Sequence, residues 1–120
     1  MNAENQINYV EFPASDFEAT KAFYGILFNW TFEHYGEDYL AFNDGRMDGG
    51  FYKSDQRVAA TNGAALVVFF AKDLENLQAR VLEAGGTVCV PTFSFPGGRR
   101  FHFHDPHGNE LAVWSDQNLT

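Results

Sequence analysis

The sequence has one cysteine and few basic residues, and each scarcity excludes a class of protein. Because Cys89 stands alone, the chain can form neither an internal disulfide nor a zinc site built from several cysteines. Eight Lys and Arg residues stand against sixteen Asp and Glu residues, which gives a formal net charge of −8. So acidic a chain lacks the basic surface that binds nucleic acid or an anionic membrane, and neither partner is expected.

The chain also lacks the segments that direct or anchor a protein to a membrane. No apolar run approaches the roughly 20 residues of a membrane-spanning helix. The opening residues MNAENQINYVEF contain no basic stretch followed by a long apolar core, so no signal peptide is predicted. These absences predict a cytoplasmic protein.

Apolar and aromatic residues are abundant. Hydrophobic residues make up 45% of the 120 positions and aromatic residues 17%, with thirteen Phe. This composition is too apolar for a disordered chain, and the length suits one domain with a hydrophobic core. We therefore expect a single folded domain.

The order of the elements repeats along the chain. Residues 6–53 alternate as a strand, a helix and three strands, residues 54–64 form a polar linker, and residues 65–116 repeat the first pattern. The apolar run at residues 65–71 predicts a well-buried strand. Two such βαβββ units side by side, with their helices outside, predict an α+β fold with a curved mixed sheet and a cleft between the halves.

Helix boundaries follow from capping residues. Ser15 with Glu18 three residues later predicts a capping box, and Asp16 also suits the helix start. Asp73 is the expected N-cap of the second helix, and Asn29 can end the first in a left-handed conformation. In the later motif DPHGN, Asp105 is predicted to form a turn.

Three segments carry a family resemblance: VEFPASDFEATKAFYGILFNW, KDLENLQARVLEAGG and FHDPHGNELAVW. In this order and spacing they resemble the vicinal oxygen chelate superfamily, also called the glyoxalase/bleomycin-resistance/dioxygenase family. The resemblance implies the tandem βαβββ fold. It does not imply one chemistry, because such a fold supports many functions.

The metal ligands that this resemblance implies are missing from the sequence. The matching positions hold Tyr9, Leu66 and Ala112, and no carboxylate or histidine stands near residues 49–52. Divalent metals at such sites require histidine nitrogen or carboxylate oxygen. No metal ion and no cofactor are therefore predicted. An atypical metal between His102 and His104, which alternate on one strand, is the open alternative.

Strand alternation and the resemblance together predict the cleft. Glu11 should be a costly buried carboxylate paired with Arg100 or His102, and His107 should face water from its turn. Aromatic side chains should line the cleft, with Trp30 and Tyr39 as further candidates. The predicted ligand-binding residues are Tyr9, Glu11, Leu66, Phe70, Arg100, His102 and Trp114.

Two functions remain open from the sequence. One is a metal-free protein that binds a small aromatic or amphipathic molecule in the cleft. The other is a lyase or isomerase with Glu11 and His102 as the candidate catalytic acid–base residues, either without a metal or with a metal whose ligands the sequence does not reveal. The resemblance further implies a homodimer.

Overall fold

The computed structural model describes residues 2–117. The first half contains β1 (Tyr9–Ala14), helix α1 (Phe17–Phe28), β2 (Thr31–His34), β3 (Tyr39–Asn43) and β4 (Asp48–Lys53). A short 3-10 helix (Ala60–Asn62) follows. The second half contains β5 (Val68–Phe70), helix α2 (Leu74–Glu83), β6 (Thr87–Phe95), β7 (Gly98–His104) and β8 (Glu110–Ser115).

The strands form two four-stranded mixed sheets with the same topology. Their orders are β1-β4-β3-β2 and β5-β8-β7-β6. The first strand of each half pairs in parallel with the last, and the other neighbours are antiparallel. The predicted α+β fold with two βαβββ units is confirmed. Each unit forms its own mixed sheet.

Each helix begins at an aspartate. The Asp16 side chain accepts a hydrogen bond from the Ala19 backbone N–H at 3.1 Å, and Asp73 caps α2 in the same way. The predicted capping box at Ser15 is therefore wrong by one residue, because the adjacent Asp16 takes the N-cap position. Asn29 ends α1 with φ 61°, as predicted.

One core of mainly aromatic residues joins the two halves. Tyr24 on α1 stacks on Trp30 with 4.5 Å between ring centroids. Phe28 from the same helix stacks on Phe69 of the second half at 4.3 Å. Trp30, a candidate for the cleft lining, belongs to this core instead. Each sheet therefore has one face covered by the core, and we call the other its open face.

Strand β5 is shorter and more exposed than the sequence predicts. It spans Val68–Phe70, and the exposed fractions of Val68 and Phe70 are 40% and 48%. The prediction of a well-buried strand is wrong because β5 is an edge strand whose outer side chains lie on the open face. Between them, Phe69 packs against the core.

The turn between β7 and β8 forms hydrogen bonds with residues of the first half. Asp105 accepts hydrogen bonds from the backbone N–H groups of residues 107, 108 and 109, which confirms it as a turn former. Its second oxygen accepts from the buried Tyr24 hydroxyl at 2.8 Å. Asn109 donates to the Pro13 carbonyl at 2.8 Å and accepts from the Val58 N–H at 2.9 Å.

His107 in this turn does not simply face water, contrary to the prediction. Its Nε2 lies 2.7 Å from the Gln56 carbonyl oxygen, to which it donates. The Ser15 N–H donates to its Nδ1 at 3.3 Å. The ring therefore links the start of α1 to the segment before the second half. Within residues 2–117, no helix is long and apolar enough to cross a membrane.

Candidate functional site

The side chains of Arg100, His102 and Glu110 form a hydrogen-bonded row on the open face of the second sheet. Arg100 and His102 lie two residues apart on β7, and Glu110 begins the neighbouring strand β8. The Arg100 Nε and Nη2 atoms lie 3.2 and 2.8 Å from His102 Nε2. On the far side of the ring, His102 Nδ1 lies 2.7 Å from Glu110 Oε2.

The two neighbours of His102 determine its tautomer. A guanidinium group can only donate hydrogen bonds, so His102 Nε2 must accept from Arg100. A carboxylate can only accept, so Nδ1 must carry the proton that is donated to Glu110. His102 is therefore neutral in this arrangement, and its basic lone pair is already occupied.

Glu110 is held as a carboxylate in a buried position. Only 8% of its surface is exposed, and its second oxygen accepts from the Ala60 backbone N–H at 3.0 Å. The hydrogen bond from His102 lowers the pKa of Glu110 below its ordinary value of 4.5, and this outweighs the opposing effect of burial. The charged carboxylate therefore anchors the His102 ring.

Loss of this anchor should change the acid stability of the protein. Because the pKa of Glu110 is lower in the folded state, its contribution is complete above pH 4.5 and disappears as the pH falls through the folded pKa. We expect Glu110→Gln to lower the free energy of unfolding by about 1–2 kcal/mol above that pH, since a single amide oxygen satisfies only one of the two donors. The difference from wild type should shrink at lower pH.

Urea unfolding at pH values above and below 4.5 measures this difference. Glu83→Gln, at an exposed position at the end of α2, is the matched control and should leave the stability unchanged. A constant difference between wild type and Glu110→Gln across the pH series would contradict the assigned role of the carboxylate.

Aromatic side chains surround the guanidinium group of Arg100. Its Cζ atom lies 5.5 Å from the centroid of the Phe93 ring, within the range of a cation–π contact. Trp114 is the register partner of Arg100 on β8 and packs edge-on against Phe70 at 5.0 Å. Arg100 thus presents its charge within an apolar surface.

The open face of the first sheet carries a second hydrogen-bonded group. The Tyr39 hydroxyl donates to Glu11 at 2.7 Å and lies 2.6 Å from the Tyr9 hydroxyl. Burial raises the pKa of Tyr39, and its hydrogen bonds with Tyr9 and Glu11 raise it further. Tyr39 was a secondary candidate from the sequence, and the structure places it at the centre of this group.

Glu11 is exposed, and its predicted pairing with Arg100 or His102 is not formed. The carboxylate accepts from Tyr39 on its own sheet, whereas Arg100 contacts His102 on the other sheet. In the part of the chain that the structure describes, no hydrogen bond or ion pair connects the two groups. Strand alternation identifies an open face but carries no information about which faces meet.

Two positions of the sequence prediction remain, one for ligand binding and one for a metal. Leu66 is partly buried just before β5, and the metal-site position Ala112 is fully buried as the register partner of His102. Within residues 2–117, no three His, Cys, Asp or Glu side chains are placed to hold a metal ion. His104 lies opposite Glu110 at the end of β7.

Glu110 and Phe93 are the site residues that sequence reasoning missed. The signal for Glu110 was its position two residues before Ala112, which places both side chains on the same face of β8. Its location immediately after the turn made it look peripheral. Phe93 lies in β6 directly after two register shifts that interrupt regular alternation, so no simple periodicity identifies it.

Comparison with solved structures identifies proteins of the same fold. The structure superimposes on a glyoxalase/bleomycin resistance protein/dioxygenase family enzyme from Burkholderia phytofirmans PsJN, with TM-score 0.75, 16% identity and coverage of 92% of this chain and 98% of that one. The genomically encoded fosfomycin resistance protein FosX from Listeria monocytogenes gives TM-score 0.77 and 15% identity, with 94% of each chain covered. At such identities the likeness concerns the fold alone.

A sequence comparison extends the likeness from fold to family. No curated protein matches the sequence at a significant level. The sequence model of the family described as "Glyoxalase/Bleomycin resistance protein/Dioxygenase superfamily", however, matches residues 6–113, which is most of the chain. The protein therefore belongs to the glyoxalase/bleomycin resistance protein/dioxygenase superfamily.

Proposed function

We propose that this protein binds a small anionic molecule with an aromatic or apolar body on the open face of its second sheet, without a metal ion. The observation that carries the proposal is the Arg100 guanidinium, which His102 and Glu110 hold in place from behind. Arg100 Nη1 makes no hydrogen bond to any residue from 2 to 117, and it remains available to a carboxylate or similar anion.

The surroundings of Arg100 support the aromatic part of the proposed ligand. Phe70 and Phe93 are large apolar side chains with substantial exposure, 48% and 41%. Burying such surface against a ligand is favourable by about 25 cal/mol per Å². A few polar groups within a mostly apolar surface are the usual composition of a small-molecule site.

The same geometry favours binding over acid–base catalysis by His102. Its Nε2 lone pair accepts from Arg100, so a substrate proton could reach this atom only if the guanidinium moved away. Glu11, the other candidate base, accepts from the Tyr39 hydroxyl. A lyase or isomerase that uses these two residues is therefore the less favoured function.

A homodimer is part of the proposal. Strand β5 is an edge strand of the second sheet, and Val68 on it is 40% exposed. A second copy of the chain that packs against this edge would cover its apolar surface.

Neighbouring arginines provide a direct test of the proposed site. The anionic aromatic dye 8-anilinonaphthalene-1-sulfonate serves as the probe, and its fluorescence titration measures affinity. We expect Arg100→Leu to weaken binding about tenfold or more, since one charge-assisted hydrogen bond contributes about 1.5–3 kcal/mol. Benzoate should compete with the dye, and uncharged benzamide should compete poorly.

Arg99→Leu is the matched control. Arg99 precedes Arg100 on β7 but forms an ion pair with Glu75 of helix α2, on the covered side of the sheet. The control should bind the dye like wild type. Equal affinities of the Arg100 and Arg99 variants, or equal competition by benzoate and benzamide, would rule out Arg100 as the anion-binding group.

A further inference from the structure

The open face of the first sheet contains a cavity that the proposed anion site does not use. It has a volume of about 450 Å³, within the range of small-molecule sites. The small side chain of Ala41 on the inner strand β3 leaves room for the cavity, and Tyr9 and Tyr35 also line it. Tyr35 is 61% exposed, so its ring is accessible to a molecule in the cavity.

The charged residues that line this cavity are all acidic. Glu33 on β2 and Asp48 on β4 line it, and none of its lining residues is Lys, Arg or His. Neither carboxylate forms an ion pair within residues 2–117. The protein as a whole carries a net charge of −8, which strengthens the attraction for a cation.

The spacing of the two carboxylates suits an organic cation better than a metal ion. Glu33 lies opposite Ala41 and Asp48 lies opposite Asn43, so their backbones are two strand spacings and two residues apart, roughly 12 Å. A metal ion needs ligands that converge within about 2.0–2.6 Å, and no such cluster of three occurs among residues 2–117. A substituted ammonium group is broad enough to contact tyrosine rings and acidic groups on both sides.

From these observations we propose that the cavity between Tyr9 and Tyr35 binds an organic cation of the alkylammonium or quaternary ammonium class. The tyrosine ring faces attract the cation by the cation–π interaction, and Glu33 and Asp48 supply long-range attraction. The site is separate from the Arg100 site, which lies on the other sheet and has the opposite charge preference.

Choline and its uncharged isostere 3,3-dimethyl-1-butanol are the probes for this proposal. A ¹H–¹⁵N NMR titration at constant ionic strength measures both affinity and the residues affected. We expect choline to shift the signals of residues that line the cavity, and the uncharged alcohol to bind at least about threefold more weakly. Tyr35→Ala and Glu33→Gln should each weaken choline binding about three- to tenfold.

Three further variants test whether choline binds in this cavity through the Tyr35 ring. Tyr35→Phe keeps the ring and should retain affinity, and Tyr52→Ala removes a tyrosine from the same strand face outside the cavity and should also retain it. Arg100→Leu should leave choline binding unchanged, so a failure of the anion site is distinguishable from a failure here. Absent choline binding, equal binding of the alcohol, or displacement of choline by Mg²⁺ at equal concentration would overturn the proposal.

Discussion

Replacement of Asp105 by alanine is expected to lower the free energy of unfolding by about 3–5 kcal/mol, an exceptionally large effect for one polar side chain. The carboxylate satisfies three consecutive backbone N–H groups of the β7–β8 turn. It also accepts from the hydroxyl of Tyr24, which is fully buried. Alanine leaves that hydroxyl without a partner inside the core, and the turn loses its organising group. Urea denaturation followed by circular dichroism measures the change.

Tyr24→Phe is the control for this prediction. This variant removes one hydrogen bond and keeps those between the backbone N–H groups of the turn and Asp105. We therefore expect the free energy of unfolding to fall by only about 1 kcal/mol. Burial raises the pKa of Tyr24 well above its ordinary value, so the hydroxyl remains a donor at all ordinary pH values. A loss of stability in Asp105→Ala no larger than that in Tyr24→Phe would contradict the stabilising role assigned to the Asp105 carboxylate.

The adjacent glycines Gly49 and Gly50 on β4 are expected to respond differently to alanine. A Cβ atom on Gly49 would overlap the Phe42 ring and lie 2.5 Å from the backbone carbonyl oxygen of Val10. Neither the packed ring nor the β1 backbone can move freely. We expect Gly49→Ala to destabilise the protein by about 2–4 kcal/mol, an overpacking effect, with the strands β1 and β4 forced apart.

Gly50→Ala should cost less stability, because its new Cβ atom would meet the Tyr39 side chain, whose hydroxyl end can swing away. That movement breaks the hydrogen bonds from Tyr39 to Glu11 and Tyr9. Thermal unfolding of both variants measures the contrast. Tyrosine NMR signals should move in Gly50→Ala, and equal loss of stability in both variants would contradict the assigned packing at Gly49.

Local periodicity predicted the fold well. Alternation along β1 placed Tyr9 and Glu11 on one face, as the structure shows, but the expected burial of Glu11 is wrong because that face is exposed. Capping chemistry located both helix starts, with an error of one residue where Ser15 and Asp16 are adjacent and equally suited. These successes share a cause: burial pattern and capping depend on residues within a few positions of one another.

The arrangement between the sheets could not be predicted in this way. The sequence suggested Arg100 as the partner of Glu11 because each needs an opposite charge or a hydrogen bond. The structure satisfies both needs locally, with Tyr39 for Glu11 and His102 for Arg100. Neutral partners on the same sheet meet the requirement as well as a distant charge, and local patterns cannot distinguish these solutions.

The edge strand β5 shows a second limit. Its run of apolar residues predicts burial on both faces, which is typical of a central strand in a covered sheet. Here helices and core cover only one face, and Val68 and Phe70 remain on the other. An apolar open face is consistent with a surface that contacts a ligand or a partner, and composition alone cannot separate that case from a core strand.

The connection of the β7–β8 turn to the first half has a consequence for the order in which the chain folds. Pro13, Ser15 and Tyr24 find their hydrogen-bond partners 96, 92 and 81 residues later in the chain. During synthesis, the first half emerges complete while the partner of the Tyr24 hydroxyl has not yet been made. Contacts so distant in sequence slow folding. The core of the first half therefore remains incomplete until the β7–β8 turn has been synthesised and can form its hydrogen bonds. The first half is therefore expected to persist as an aromatic intermediate while much of the second half is synthesised.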